Sequence, residues 1–273
     1  MTAQVKTGLI VKQDFFVVEL FAGAGGLALG LEKAGFKTLA TVENNKWACE
    51  TLRKNRLNWN VLEGDIKSFS FTEYENKVDI VTGGFPCQAF SYAGKKLGLA
   101  DARGTLFYEF ARVVKEVNPP ICIGENVKGL LSHDNGKTLQ GMISILDEIG
   151  YNVVPVEVLK AINYKVPQKR ERLILVGIRK DIANKTNPIA FFDSIRNERE
   201  KFLINKGIGL TNSLEDAISD LLRTNETVSP DTSSLMAGLY NKPQSNYQKL
   251  LKGDYSETIP DSHRFAKHSA STV

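Results

Sequence analysis

Residues 83–91 read Gly-Gly-Phe-Pro-Cys-Gln-Ala-Phe-Ser, with Cys87 one step behind a strand-like run that starts at Val78. A cysteine at the exit of a buried strand sits on a rigid element yet faces a cleft, which is what a thiolate nucleophile requires. Pro86 fixes the backbone just before it, and Gly83-Gly84 permits close approach of backbone or ligand. Taken alone, Cys87 also reads as a small buried residue, as most free cysteines are. Two further side chains have the chemistry to join it. Glu125 ends an apolar run, Ile121–Gly124, and Arg172 opens another, Leu173–Ile178, with Arg170 two residues earlier on the same face. A second constellation lies nearer the N-terminus. Phe15–Phe21 runs into Ala22-Gly23-Ala24-Gly25-Gly26 and then the amphipathic segment Leu27–Ala34. A strand, a glycine turn and a helix N-terminus form a corner that cradles a ligand. Glu43 ends the next strand, where a carboxylate binds ribose hydroxyls, and Asp65 follows the one after, in reach of an adenine amino group. Together these predict a pocket for a nucleoside-containing ligand. The spacing Gly-x-Gly-Gly departs from the Gly-x-Gly-x-x-Gly of dinucleotide sites.

The elements that position these residues follow from periodicity. Phe15–Phe21, Thr38–Glu43, Asn60–Ile66, Val78–Phe85, Ile121–Val127, Val153–Leu159 and Leu173–Ile178 read as strands, several of them apolar on both faces. Leu106, Phe110, Val113, Val114 and Val117 fall on one helical face, as do Leu139, Met142, Ile143, Leu146 and Ile149 before the stop at Gly150. Alternation of strand and helix over residues 15–180 predicts an α/β fold with a doubly wound, mostly parallel sheet. After about Lys180 strand-like runs thin out and turn signals appear, with one short helical patch at Asp216–Leu222. The 273 residues suit one large α/β domain, or one plus part of a second. Three cysteines without a CxxC pair and three histidines argue against a disulfide framework or a structural zinc. No apolar run reaches the length of a membrane span, and the polar N-terminus lacks a signal-peptide core. A net charge of +4 is compatible with nucleic acid without demonstrating it. The basic residues cluster at Lys95-Lys96 and Arg103, and again at Lys169, Arg170 and Arg172.

Several blocks in one order resemble the cytosine-C5 DNA methyltransferases. Phe21-Ala-Gly-Ala-Gly-Gly26 is similar to the family's S-adenosylmethionine loop, and Gly84-Phe-Pro-Cys-Gln-Ala-Phe-Ser91 to its nucleophile motif. Glu125-Asn126-Val127 resembles its Glu-Asn-Val motif, and Gln168-Lys-Arg-Glu-Arg172 its Gln-x-Arg-x-Arg motif. Arg103–Phe107 and Ser132–Gly136 are also similar to family segments. The resemblance covers residues 15–180 and implies a sheet of the S-adenosylmethionine-dependent methyltransferase type. It also implies methyl transfer to C5 of a flipped-out cytosine in double-stranded DNA, through a covalent link from Cys87 to C6, in a bacterial restriction–modification system. The catalytic set would be Cys87, Glu125, Arg170 and Arg172. The cofactor contacts would be Phe21, Ala22, Gly23, Gly25, Gly26, Glu43, Asn44, Asp65, Ile66, Pro86 and Leu106. Phe85, Gln88, Ser91, Tyr92 and Asn126 would meet the substrate. No metal is implied, and the location would be a bacterial cytoplasm, with association to the nucleoid.

The chain departs from the family pattern in two ways. Where a bulky side chain often follows the ribose-binding glutamate, Asn44 stands, which shifts adenine packing to Trp47 or Ile66. Residues 181–273 read as a connector and an incomplete target-recognition region, behind a catalytic domain spanning 1–180. The chain thus reads as C-terminally incomplete, either truncated or one half of a split enzyme completed by a second polypeptide. Two other functions fit parts of the pattern: methylation of cytosine C5 in tRNA, and a regulatory paralogue that binds without catalysing. The joint presence of Cys87, Glu125 and Arg172 argues against the second.

Overall fold

The structure, a computed structural model, describes residues 14–86, 106–185, 187–205, 212–222, 226–230, 232–253 and 265. Cys87, Gln88, Ser91, Tyr92 and Arg103 lie outside the described residues.

In chain order the elements are β1 (Phe15–Leu20), α1 (Gly26–Lys33), β2 (Phe36–Glu43), α2 (Lys46–Asn55), β3 (Asn60–Glu63), β4 (Ile80–Gly83), α3 (Leu106–Val117), β5 (Ile121–Val127), α4 (Lys137–Glu148), β6 (Tyr151–Val153), β7 (Glu157–Lys160), β8 (Glu171–Arg179) and α5 (Lys180–Ala183). Among the described residues eight strands form one sheet in the order β3-β2-β1-β4-β5-β8-β6, with β7 also paired to β8. The strands from β3 to β5 run parallel, and β8 runs antiparallel to both β5 and β6. Sequence order reverses between β1 and β4. In a doubly wound sheet this switch point opens a crevice at the carboxyl ends of the strands. The fold class read from the sequence is the one found.

Boundaries moved where local chemistry intervenes. The stretch 153–159 is not one strand: Pro155 lies between β6 and β7, and a proline has no N–H to give to a sheet ladder. The chain after Glu63 turns at Gly64 (φ 148°), so β3 stops short of Ile66. Helix α2 was missed because its apolar content is low. Only Cys49 and Leu52 are buried along it, and the Asn45 side chain caps it by accepting from Ala48 N–H at 3.0 Å.

The core is built on α3 and the central strands. Phe107, Phe110, Val113, Val114 and Val117 bury one face of α3 against β4 and β5. Phe85 joins them, its ring 5.1 Å from Phe107 and 5.5 Å from Phe110. One polar row crosses this apolar sheet. Glu19 is in register with Thr41 on β2 and Thr82 on β4, and all three are buried. The Glu19 carboxyl accepts from the backbone N–H of Ala28 in the first turn of α1, whose N-cap, Gly25, has no side chain to do so. Burial raises the Glu19 pKa to about 8.

By contacts the chain divides into two units, 1–159 with 171–192 and 160–170 with 193–273. The second contains most of α6 (Phe191–Asn205), then α7 (Leu214–Ile218), a hairpin of β9 (Glu226–Ser229) and β10 (Thr232–Gly238), and α8 (Asn246–Lys252). Reciprocal caps open α7 (Ser213 with Asp216) and α8 (Ser245 with Gln248), and the Gln248 amide donates to Ser219 Oγ at 2.7 Å. These elements occupy the region whose sequence reads as a connector and an incomplete target-recognition region. The expected helical patch is α7 followed by a short 3₁₀ turn, Ser219–Leu221.

Candidate active site

The carboxyl ends of β1, β2, β3 and β4 converge on a cavity of about 250 Å³. It is lined by Phe21, Val42, Glu43, Asn44, Gly64, Asp65, Ile66, Gly84, Pro86 and Leu106. Each strand hands its last residue or the following turn to the cavity, so four segments far apart in sequence meet at one edge.

Glu43 organises the floor. Its Oε2 accepts from Gly23 N–H at 2.8 Å, and its Oε1 accepts from Asn44 and Asn45 N–H at 3.0 and 2.8 Å. One carboxylate thereby fixes both the glycine turn after β1 and the turn into α2. Phe21 enters that turn with φ 56°, a left-handed conformation costly for a residue with a Cβ. Gly25, at φ 87°, lies against α2: a Cβ there would stand 2.6 Å from Leu52 and 3.2 Å from Trp59. Asp65 caps the short turn 66–68 by accepting from Lys67 N–H at 3.0 Å.

Not every residue assigned to the cofactor reaches this cavity. Phe21, Glu43, Asn44, Asp65, Ile66, Pro86 and Leu106 do; Ala22, Gly23, Gly25 and Gly26 do not line it. Gly23 acts through its N–H on Glu43, and Ala22 through its N–H on Val42 O at 3.0 Å. Gly84, read from the sequence as allowing close approach, lines the cavity, whereas Val42 and Gly64 were missed although each adjoins a residue already singled out. Ile66 packs into the cavity, 4% exposed, whereas Trp47 is 71% exposed and does not line it. The bulky wall opposite Asn44 is therefore Ile66.

Beside the cavity stand Glu125 and Arg172. Arg172 is in register with Val127 and Glu125 with Ile174, a diagonal neighbour on the same face of the β5–β8 pair. Arg172 Nε lies 2.7 Å from Glu125 Oε1, and its Nη1 donates to the Glu171 carbonyl at 2.8 Å. Both side chains are about one quarter exposed, so the pair faces open space rather than the core. The other Glu125 oxygen lies over Gly84, 3.3 Å from where a Cβ would be. Any side chain at Gly84 would press on the carboxylate three residues before Cys87. Arg172 thus makes one contact that orients Glu125. Arg170 belongs to the second unit, on a turn where its carbonyl accepts from Ala161 N–H at 2.9 Å.

Two residues assigned to the substrate have their side chains otherwise engaged. Asn126 is 3% exposed; its Nδ2 donates to the Phe85 carbonyl at 2.9 Å and its Oδ1 accepts from Val127 N–H at 2.8 Å. The ring of Phe85 is 3% exposed in the aromatic cluster. Both side chains instead anchor the segment leading to Cys87, one by packing and one by hydrogen bonding.

The other two cysteines are poor nucleophiles. Cys49 and Cys122 are buried, and burial pushes both thiols up, Cys122 to about 12. Among the described residues no group of three or more His, Cys, Asp or Glu could hold a metal ion. No helix among them is long and apolar enough to cross a membrane.

The family model for C-5 cytosine-specific DNA methylases matches residues 15–270. The Type II methyltransferase M.Eco47II of Escherichia coli is 61% identical over 170 residues, covering 62% of this chain and 41% of that protein. M.PspPI of a Psychrobacter species is 58% identical over 173 residues, covering 63% of this chain and 42% of that protein. M.BanI of Aneurinibacillus aneurinilyticus is 36% identical over 245 residues, 86% of this chain and 54% of that protein. The matches thus span only about half, or less, of these relatives' lengths. Among solved structures, a DNA modification methyltransferase described as encoded within an E. coli prophage aligns with a TM-score of 0.52 at 26% identity, over 62% of this chain and 48% of that one. A Spodoptera frugiperda DNMT2 mutant aligns with a TM-score of 0.50 at 25% identity, over 62% of this chain and 51% of that one.

Proposed function

The chain belongs to the C-5 cytosine-specific DNA methylase family, and from that premise we propose that it carries the catalytic part of an S-adenosylmethionine-dependent DNA (cytosine-5)-methyltransferase. The relatives named as Type II methyltransferases support a place in a bacterial restriction–modification system. A cytoplasmic location, close to the DNA of the nucleoid, goes with that role.

One observation carries the reading. The cavity at the switch point, walled by Glu43, Asp65, Ile66 and Pro86, lies beside a carboxylate held by Arg172 over Gly84, three residues before a cysteine. The residues fit the cofactor. Glu43 presents carboxylate oxygens to ribose hydroxyls, Asp65 an acceptor to the adenine amino group, and Ile66 an apolar face to the adenine ring. When bound, S-adenosylmethionine supplies an electrophilic methyl group. The protein's own residues prepare cytosine to receive it. C5 of cytosine is not nucleophilic, so the Cys87 thiolate adds to C6 and forms a C6–S bond. Glu125 gives a hydrogen bond or proton to N3 as charge builds there, and the electron pair released toward C5 makes that carbon the nucleophile. After methylation the proton at C5 leaves to a base, the C6–S bond breaks, and Cys87 is restored. Arg172 holds Glu125 in place and has donors left for cytosine O2. Because C5 is unreachable inside a duplex, the base is flipped out, with Gln88, Ser91 and Tyr92 in the segment around it.

In this proposal the target-recognition and closing segments come from the same or a second polypeptide. Side-by-side methylation of duplex DNA and tRNA by the full protein tests the substrate class. Methyl incorporation into DNA cytosine C5 is the expected result; incorporation into tRNA alone would transfer the same chemistry to RNA.

A further inference from the structure

Arg112, on the solvent side of α3, has more partners than a surface salt bridge needs. Its Nε donates to Glu109 Oε2 at 2.7 Å and its Nη1 to Glu116 Oε1 at 2.6 Å. Its remaining donors leave the helix: Nη2 reaches the Ile66 carbonyl at 3.0 Å and Nη1 the Phe69 carbonyl at 3.3 Å. Glu116 completes the clasp, its Oε2 accepting from Phe71 N–H at 2.8 Å. Glu109 is 8% and Arg112 23% exposed at the side chain, so water screens this network only in part.

What the network holds is the far wall of the cavity. Ile66 lines it with its side chain, and Asp65 lines it one residue earlier. Leu106, the first residue of α3, lines the same cavity directly. Arg112 lies six residues further on, about 9 Å along the helix axis at 1.5 Å per residue. Helix α3 thus lines the cavity through Leu106 and braces its Asp65–Ile66 wall from behind through Arg112 on the Ile66 carbonyl. We propose that Arg112 is a positioning residue for the cofactor, holding Asp65–Ile66 at the spacing from Leu106 that an adenine ring requires. The inference rests on the S-adenosylmethionine reading of the cavity. An arginine suits the task because its planar fork serves two carboxylates and two carbonyls in divergent directions, which a lysine ammonium on a flexible stem does not.

The experiment compares wild-type full protein with Arg112→Met, Arg112→Lys and Glu116→Gln, by steady-state methyl transfer and by calorimetry with S-adenosylmethionine and with adenosine. Arg112→Met should raise the KM for S-adenosylmethionine about ten-fold, the loss of one charge-assisted hydrogen bond. Its kcat at saturating cofactor should stay within about two-fold of wild type. Adenosine should lose affinity in the same ratio, because both ligands use the same wall. Arg112→Lys should recover part of the loss. Glu116→Gln keeps an acceptor for Phe71 N–H and should show a smaller shift of the same sign, which keeps the test open if Arg112→Met fails to fold. A merely structural role would lower the thermal midpoint and the amount of active protein without this division between KM and kcat. Folded Arg112 variants with unchanged affinity for both ligands would overturn the inference and leave the cofactor assignment standing. A wild-type protein that binds neither ligand would remove the cofactor assignment and the inference with it.

Discussion

At the scale of single residues, chemistry is divided between groups that react and groups that aim them. Glu125 is aimed by Arg172, and Glu43 is both an aimed group and a strut, since three backbone N–H donors already converge on its carboxylate. Glu43→Ala should therefore weaken S-adenosylmethionine binding by about 1.5–3 kcal/mol, the range for hydrogen bonds to a charged group. Calorimetry reads this directly, and an unchanged affinity would place the cofactor elsewhere. Burial of the other two thiols gives a second prediction. With the Cys122 pKa at about 12 and that of Cys49 also raised, neither carries much thiolate at pH 8. Alkylation of the native protein at that pH should label Cys87 far faster than either, as peptide mapping would show. Fast labelling of Cys122 would contradict the packing around β5.

At the scale of elements, the site depends on how strand ends and turns are tied together. Asn126 ties the end of β5 to the Phe85 carbonyl. Asn126→Ala would leave that carbonyl and the Val127 N–H without their partner, a cost of about 1–3 kcal/mol in denaturant unfolding. It should lower kcat through looser placement of Cys87 while leaving the KM for S-adenosylmethionine near wild type. A raised KM with normal kcat would assign Asn126 to the cofactor instead. Glu19, under the glycine turn, makes stability depend on pH. Its folded pKa, about 8, lies above its ordinary carboxylate value near 4.5. Its contribution is fully present below pH 4.5 and is lost as pH rises toward 8, because only the folded state then holds the proton. Relative to wild type, Glu19→Gln should gain stability across that window with a slope of up to about 1.4 kcal/mol per pH unit. A pH-independent difference would mean that Glu19 is ionised when folded. Most of this architecture was legible in the sequence. The central strands are continuous apolar runs, and the residues at their carboxyl ends carry the unusual chemistry. What escaped was whatever depends on partners distant in sequence. The bond from Asn126 to the Phe85 carbonyl and the packing of the Phe85 ring on Phe107 and Phe110 join residues distant in sequence, so neither is visible along the chain. Arg112 was passed over, because its hold on the 66–69 turn needs the fold. Helix α2 carries few apolar residues and helix α6 lacks a strong apolar period, so neither stands out in the sequence.

At the scale of the whole molecule, the structure divides into two units, and the matched relatives extend well beyond this chain. DNA affinity depends mainly on phosphate contacts, so the part of those relatives outside the match bears on binding more than on bond making. The central claim is that Cys87 bonds covalently to C6 of a flipped cytosine, and trapping tests it most directly. The full protein is incubated with S-adenosylmethionine and duplex DNA carrying 5-fluorocytosine at the target, where fluorine blocks the final loss of a proton from C5. An irreversible protein–DNA adduct that requires the cofactor, maps to Cys87 and is abolished by Cys87→Ala is the predicted result. An adduct that maps to Cys49 or Cys122, or that survives Cys87→Ala, would contradict it.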